Sequence, residues 1–355
     1  MNNIYLKISG LEPELSPVVL ATVISTRGST PQKHGSSALF NRDGLIYGTI
    51  GGGVLEGRVQ KIATEAASKG YSGIRHFDLD KDISFSEEAI CGGQVSVLID
   101  DNIQSYQDIF KAATEYMKAK KSCMLVTRIV YSNQEEIKIT RSVTDADSGY
   151  SVSDENGKDI DSEIKRILSS EYKEYFSRLD FGKPGEKGSE TVLFESLFPQ
   201  FQLVIAGAGH IGKALSHLGR LLDFEVTVID DRAEYANSNN LPDAEHIIVR
   251  DIGEAIGEIG NYADTYFVIV TRGHKDDANA LRSCLGKKSA YIGMIGSRTK
   301  VSQVHDRFIE NGWATEEQWA AIHTPIGLEI NSQTVEEIAI SIAAELVLVR
   351  NNRKY

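Results

Sequence analysis

A glycine-rich loop in the second half of the chain has the residue types and spacing of a phosphate-binding site. Gly207, Gly209 and Gly212 form the pattern G-x-G-x-x-G in the segment LVIAGAGHIGKAL. Such glycines allow a tight turn, let backbone N–H groups approach a phosphate, and let the following helix pack closely on a strand. Asp230 follows about 20 residues later, where it could accept hydrogen bonds from ribose hydroxyls. The pattern predicts a phosphate or dinucleotide site, with His210 beside it.

Two other interpretations of these residues are possible. Lys213 follows Gly212 as in an ATP-binding P-loop, but Ala214 stands where a Ser or Thr would ligate magnesium, so ATP hydrolysis is disfavoured. Asp230 could instead cap a helix or form a salt bridge with Arg232, and this alternative stays open.

Two further loops carry side chains suited to an anionic ligand. Arg272 and His274 follow the apolar run VIVT, and Ser297 and Arg298 follow YIGM. Ligands of a doubly wound sheet bind beyond the carboxyl ends of its strands, where these loops are expected. We expect all four residues to contribute to binding. The alternative is that the aspartates after His274 cap the next helix and that Arg298 is solvated.

The first half has its own glycine-rich turn before a helix. Gly51, Gly52 and Gly53 precede a helix start whose N–H groups can bind an anion, although Glu56 competes for the same positive end of the helix dipole. The loop from Arg27 to Lys33 supplies hydroxyls and two cations that could help to hold the same ligand.

Cysteine usage singles out one thiol. In the segment Cys91-Gly92-Gly93 the thiol lies beside two glycines, which leaves it open to a ligand or a sulfur-transfer partner, although a lone cysteine is more often a small core residue. Cys123 lies between apolar residues and is expected to be buried. The cysteines form no CxxC pair, which favours a reducing compartment.

The elements that must position these loops follow from hydrophobic periodicity. The first half predicts a mixed α/β domain with a hairpin turn at Asn41–Gly44, a helix after Gly53, and a charged helix from about Asp159 to Phe176. Thr334 and Glu337 form a capping-box pair before a terminal helix. Strand-like runs alternate with helical segments in the second half and predict a Rossmann-like doubly wound parallel sheet; the runs are 202–206, 225–229, 246–249, 265–270 and 289–292.

The length and the net charge of the chain limit which classes of protein are possible. A chain of 355 residues predicts two domains, which we place at 1–198 and 199–355. The net charge of −12 disfavours binding to nucleic acid or to an anionic membrane. The apolar stretch at 18–24 is too short to span a bilayer and no signal sequence precedes it, so we expect a cytoplasmic protein.

Several motifs together resemble the XdhC/CoxI family, the accessory proteins of xanthine dehydrogenase and related molybdenum hydroxylases. The resemblance runs along nearly the whole chain. Its motifs are ATVISTRGSTPQKHGSSALF, GTIGGGVLEGRV, CGGQVSVLID, LVIAGAGHIGKAL, VIDDR, VTRGHKDD, YIGMIGSR, HTPIGLEI and EEIAISIAAEL.

This resemblance implies an N-terminal XdhC/CoxI domain and a C-terminal Rossmann-like XdhC domain. It also implies that the protein binds molybdenum cofactor, as molybdopterin or its cytosine dinucleotide, supports its sulfuration and delivers it to a hydroxylase. The implied partners are a cysteine desulfurase and the hydroxylase large subunit, and we expect a homodimer. The chain is too small and too poor in cysteine for a stand-alone xanthine dehydrogenase, so a cofactor-insertion chaperone is favoured. An NAD(P)-dependent oxidoreductase and a regulatory nucleotide-binding protein are the alternatives.

The resemblance also suggests how the site is arranged. We expect the two glycine-rich helix starts to face a common cleft, with Cys91, Gly92 and Gly93 near the molybdenum. Some family members carry Cys at the third glycine of the first-half turn, whereas this chain has Gly53, so any thiol role falls on Cys91.

Overall fold

The computed structural model describes residues 4–11, 17–79, 93–133, 136–145, 147–148, 156–170 and 174–352. The chain divides into two compact units, the first ending at Pro199 and the second beginning at Gln200. Within the described ranges, every helix is too short or too polar to cross a bilayer.

The first unit begins with a five-stranded antiparallel sheet. Its strands are β1 (Val19–Arg27), β2 (Ser37–Asn41), β3 (Gly44–Gly48), β4 (Gly73–Asp78) and β5 (Gln94–Asp100), in the order β3-β2-β1-β5-β4. The predicted hairpin between β2 and β3 is confirmed. The Asn41 side chain fixes its turn, because its oxygen accepts hydrogen bonds from the N–H groups of Asp43 and Gly44.

Two helices flank this part of the chain, α1 (Ile4–Ser9) and α2 (Gly53–Lys69). The apolar stripe of α2 includes Leu55, Val59 and Ala63, which are buried against the first sheet. Gly70 ends the helix in the left-handed conformation, which glycine adopts without steric cost. The helix predicted after Gly53 is therefore confirmed.

A second antiparallel sheet completes the first unit. It contains β6 (Cys123–Tyr131), β7 (Ile137–Thr144), β8 (Phe176–Phe181) and β9 (Glu190–Leu197), in the order β7-β6-β9-β8. Its helices are α3 (Gln107–Lys118) and α4 (Gly157–Leu168). Successive residues of a strand point to opposite faces: Cys123 packs in a core with α1 and α3, and Met124 packs in a core with α4. Coverage on both faces explains why β6 is apolar along most of its length.

The charged helix predicted to reach Phe176 is too long. Helix α4 ends at Leu168, and Phe176 begins β8, where it pairs with Glu195 of β9. The pairing of the segment FSRLDF with β9 overrides the helical tendency of the charged residues before it.

The second unit is a parallel sheet with helices on both faces, as predicted. Its strands are β10 (Gln202–Ala206), β11 (Glu225–Asp230), β12 (His246–Val249), β13 (Thr265–Ile269) and β14 (Tyr291–Met294), in the order β12-β11-β10-β13-β14. Its helices are α5 (His210–Leu221), α6 (Ile252–Glu258), α7 (His274–Cys284), α8 (Arg298–Glu310), α9 (Glu316–Ala320) and α10 (Val335–Asn352).

This strand order places the switch point of the sheet between β10 and β13. One face is covered by α5 and α10, whose Leu215 and Leu346 are fully buried, and the other by α6, α7 and α8. The predicted capping box of α10 is confirmed: Thr334 accepts from the N–H of Glu337, and Glu337 accepts from the N–H of Thr334. Ligands of doubly wound sheets bind at the switch point, which directs attention to the loops after β10 and β13.

Candidate functional site

Only glycine fits at two positions, one in the loop after β10 and one in the first turn of α5. Gly207 has a φ of +117°, and a Cβ there would lie 2.5 Å from the carbonyl oxygen of Val270, the residue after β13. A Cβ on Gly212 would overlap the carbonyl oxygen of Gly207. These contacts hold the loop against the end of β13 and bring α5 close to β10.

The second glycine of the motif leaves space for a ligand. Gly209 precedes α5, and no atom lies within 4 Å of the position that a Cβ would take. The first turn of α5 contains no acidic residue. The first N–H groups of a helix have no carbonyl partner within it, and the helix dipole makes this end positive. The start of α5, with His210 as its first residue, is therefore suited to bind an anion.

Asp230 braces this loop from the end of β11. Its Oδ2 accepts hydrogen bonds from the Ala208 N–H and from the Arg232 guanidinium, each at 2.8 Å. Its Oδ1 accepts from the backbone N–H of Arg232 at 3.0 Å and from Arg232 Nε at 2.8 Å. Each oxygen thus accepts two hydrogen bonds, which leaves the carboxylate little capacity to bind a ribose hydroxyl.

The same contacts account for the acidity of Asp230. Burial raises the pKa of this carboxyl, but the hydrogen bonds from Arg232 and from the Ala208 N–H outweigh burial and lower the pKa to about 2. The salt bridge with Arg232, left open as an alternative by the sequence, is present in the structure.

Arg272 lies beside the loop at the end of β13. Its guanidinium contacts Asp231 at 3.0 Å and Asp276 at 3.5 Å, and about half of its side chain is exposed. An exposed guanidinium held in this way can still turn toward an anion. His274 is the first residue of α7, and its side chain lies outside what the structure describes.

In the loop after β14, both predicted residues lie at the start of α8, and their part in ligand binding stays a prediction. Ser297 caps α8, because its hydroxyl accepts the N–H of Lys300, and Arg298 is 86% exposed and 3.5 Å from Glu329. The structure also reveals a partly buried ion pair that the sequence did not indicate. The Lys300 ammonium donates to Asp277, whose other oxygen accepts from the hydroxyl of Thr271 at 2.6 Å. Asp277 therefore does not act as a helix cap but ties the loop after β13 to α8.

In the first unit, a side chain of α2 already binds the N–H groups of the glycine-rich turn. Glu56 Oε2 accepts hydrogen bonds from the Thr49 hydroxyl at 2.6 Å, from the Ile50 N–H at 3.2 Å and from the Gly52 N–H at 3.3 Å. The carboxylate occupies the position that a bound anion would take, so an anion would have to displace it. Gly53 is the first residue of α2.

Three motifs of the first unit nevertheless converge. A Cβ on Gly51 would lie 2.7 Å from Pro31, and one on Gly93 would lie 2.6 Å from the carbonyl oxygen of Arg27. The Arg27–Lys33 loop therefore contacts both glycine segments. Cys91 and Gly92 lie outside the described residues, so their place beside molybdenum stays a prediction, as does the common cleft.

The two cysteines that the structure describes are buried and unreactive in character. Cys123 lies in the core, as expected, and burial raises its pKa to about 12. Burial also raises the pKa of Cys284 well above its ordinary value. Across the described ranges, no group of three or more His, Cys, Asp or Glu side chains could hold a metal ion.

Comparison with known families matches both units. A family model described as the XdhC Rossmann domain matches residues 203–346, and one described as the XdhC and CoxI family matches residues 14–78. Together the matched segments span more than half of the chain.

Individual relatives cover nearly all of it. The chain is 24% identical, over 99% of its length, to the uncharacterized protein YqeB of Escherichia coli, of which it spans only 47%. It is 22% identical to a Bacillus subtilis protein described as a probable subunit of xanthine dehydrogenase, with 99% of this chain and 98% of that protein aligned. The crystal structure of a xanthine dehydrogenase from Bacillus halodurans is similar, with a TM-score of 0.77, 25% identity, and coverage of 99% of this chain and 96% of that chain.

Proposed function

The chain belongs to the XdhC and CoxI family, and on that premise we propose that it is an accessory protein of xanthine dehydrogenase or a related molybdenum hydroxylase. In this role it binds molybdenum cofactor, supports its sulfuration and delivers it to the hydroxylase large subunit. The cofactor supplies the metal centre that such hydroxylases require for catalysis. A cysteine desulfurase is the expected source of sulfur.

One observation carries the cofactor-binding part of this proposal. Of the two glycine-rich helix starts, that of α2 is filled by Glu56, whereas that of α5 has open space at Gly209 and no acid in its first turn. Molybdopterin ends in a phosphate monoester, which suits the N–H groups at such a helix start. The start of α5 therefore fits the phosphate of the cofactor.

The surrounding residues of the second unit have supporting roles. Asp230 and Arg232 hold the Ala208 N–H and so fix the shape of the loop. Arg272, at the end of β13, supplies a cation beside the bound phosphate. The Asp230–Arg232 pair thus shapes the loop, and Arg272 adds positive charge beside it.

The arrangement of Asp230 also weakens the oxidoreductase alternative. A dinucleotide-binding loop of the usual kind needs a carboxylate that is available to the ribose hydroxyls. Here both carboxylate oxygens are already engaged by Arg232 and the Ala208 N–H. The geometry thus favours a ligand held by its phosphate over NAD held by its sugar.

A substitution at Gly209 tests the phosphate site without disturbing the fold. In Gly209→Asp, the carboxylate can accept the free N–H groups of α5 as a helix cap, which preserves the helix but competes with phosphate. Gly257→Asp is the matched control, because Gly257 also has no atom within 4 Å of a Cβ and lies outside the loop. We expect gently purified protein and the control to retain a pterin detectable by mass spectrometry, and Gly209→Asp to lose it.

Function is tested with the client enzyme. Protein loaded with molybdenum cofactor should activate an apo-hydroxylase, and Cys91→Ala should reduce the sulfurated fraction of the cofactor if that thiol takes part. Equal pterin retention by Gly209→Asp and the control would refute the site. Saturable NAD(P) binding with hydride transfer would instead favour the oxidoreductase.

A further inference from the structure

A second buried carboxylate, that of Asp277, holds the loop on the other side of β10 from Asp230. The Asp277 side chain is 0% exposed, and that of Lys300 is 15% exposed. The Lys300 ammonium donates to one oxygen of this carboxylate, and the Thr271 hydroxyl donates to the other at 2.6 Å. These contacts join the start of α8, through α7, to the second residue after β13.

The arrangement fixes a position more than it adds stability. Desolvation of two buried charges offsets most of their attraction, so apolar residues of similar volume can often replace such a pair at little cost. A hydroxyl that donates to a buried carboxylate is different, because its loss leaves the acceptor short of a partner that water cannot supply. Movement of Thr271 away from Asp277 is therefore opposed.

The segment held in this way packs against the phosphate loop. A Cβ on Gly207 would lie 3.1 Å from the Cα of Thr271. The residue before it, Val270, donates its N–H to the carbonyl oxygen of Ala206 at 2.9 Å. The backbone at Thr271 thus lies directly against the first glycine of the loop.

The next residue, Arg272, extends across the loop. Its guanidinium contacts Asp231, which follows β11, at 3.0 Å. Because β10 lies between β11 and β13 in the sheet, the ends of those two strands are about 10 Å apart. The Arg272 side chain therefore crosses the carboxyl end of β10, where the glycine loop begins.

We propose that Thr271, anchored by Asp277 and Lys300, is a positioning residue of the phosphate site. It fixes the loop that carries Arg272, so that the guanidinium is held over the glycine loop, beside the bound phosphate. Asp277 is buried and acts only through Thr271, and Lys300 neutralises its charge so that the carboxylate does not oppose the phosphate. This inference rests on the proposed binding of the cofactor phosphate at the start of α5.

Anaerobic calorimetric titration of the full chain, stripped of pterin, with molybdopterin tests the proposal. Thr271→Val removes the hydroxyl and should weaken binding about three- to tenfold, whereas Thr271→Ser keeps it and should bind as the wild-type chain does. Thr265→Val is the matched control. Thr265 lies at the opposite end of β13, where its hydroxyl donates to Gln202 at 3.1 Å, so its loss should leave the affinity unchanged.

Combination with Arg272→Gln distinguishes positioning from a general effect on the fold. Arg272→Gln alone should weaken binding roughly 10- to 100-fold, because a charged hydrogen bond is lost. Adding Thr271→Val should then weaken binding by less than about twofold, since the loop no longer carries the charge. Asp277→Leu combined with Lys300→Met removes the anchor without leaving an unpaired charge, and it should weaken binding as much as Thr271→Val does.

Three results would overturn the proposal: equal affinity of Thr271→Val and Thr265→Val, an undiminished effect of Thr271→Val in the Arg272→Gln background, or full affinity without the anchor. The phosphate site itself is tested separately, by pterin retention in the wild-type chain and its loss in Gly209→Asp. Failure of that comparison would refute the proposed function, whereas failure of the Thr271 variants alone would leave it intact.

Discussion

Asp230 is the residue at which a structural role and a sugar-binding role give different experimental results. Replacing it with Asn removes the charge that holds the Arg232 guanidinium and the Ala208 N–H. The pKa of the carboxyl falls from an ordinary 3.8 to about 2 in the folded protein. By linkage, this difference corresponds to about 2 kcal/mol of folding free energy at neutral pH.

The assay is urea unfolding of the full chain followed by tryptophan fluorescence. Both tryptophans, Trp313 and Trp319, lie in the second unit, where they contact Phe308, so the signal reports that unit. We expect Asp230→Asn to lower the free energy of unfolding by about 2 kcal/mol. Asp231→Asn is the matched control; Asp231 is 45% exposed in a surface pair with Arg272, so its loss should cost less than about 0.5 kcal/mol.

The pH dependence of the stability difference between the wild-type chain and Asp230→Asn tests whether folding lowers the pKa of Asp230. Because folding lowers the pKa of Asp230, its contribution is present above pH 3.8 and is lost as the pH falls from there toward 2. The difference in unfolding free energy between the wild-type chain and Asp230→Asn should shrink over that range. If Asp230→Asn were as stable as Asp231→Asn at neutral pH, the bracing role would be refuted, and a role reserved for ligand binding would be favoured.

Three further predictions concern the glycine loop, the first-unit turn and the thiols. Gly212→Ala should lower the free energy of unfolding of the second unit by about 3 kcal/mol, because its Cβ would overlap the Gly207 carbonyl oxygen. Gly209→Ala should lower it by less than about 1 kcal/mol. Equal losses for the two variants in the same fluorescence assay would contradict the close approach at Gly212. Glu56→Ala should speed amide hydrogen exchange at Ile50 and Gly52, which donate to Glu56, and unchanged exchange measured by mass spectrometry would show that these bonds do not protect the turn. Iodoacetamide should alkylate neither Cys123 nor Cys284 in the native protein, because both thiols are buried and burial raises their pKa, to about 12 for Cys123. Both should react in urea, as peptide mapping would reveal. Labelling of either thiol in the native protein would contradict its burial.

Much of the second unit could be predicted because its signals are local. The G-x-G-x-x-G spacing, the alternation of apolar runs with helical segments and the Thr334–Glu337 capping box each involve residues close together in the chain. Steric limits and hydrogen bonds between residues a few positions apart determine the turn, the strand period and the helix start. The helix predicted as far as Phe176 is wrong for the converse reason, because β8 is stabilised by pairing with β9 rather than by its own sequence context.

Partner choice among the charged side chains could not be predicted in this way. Lys300 reaches Asp277 from a different helix, because α7 and α8 pack on the same face of the sheet; Asp277 is buried and Lys300 is partly buried. Burial makes such a pair depend on its geometry, which composition and spacing do not reveal.

The amino-acid sequence alone indicates an anion-binding helix start after β10, since three glycines at that spacing after a strand leave few other conformations. It also indicates a second glycine-rich start in the first unit, with Glu56 as a competitor there. The folded structure shows which side chains occupy the N–H groups at each start. Glu56 folds back onto the N–H groups of its own turn. The first turn of α5 has no acid, and Asp230, held by Arg232, accepts only the Ala208 N–H that precedes this helix. A helix start binds an external anion only when no side chain of the folded protein already satisfies its N–H groups.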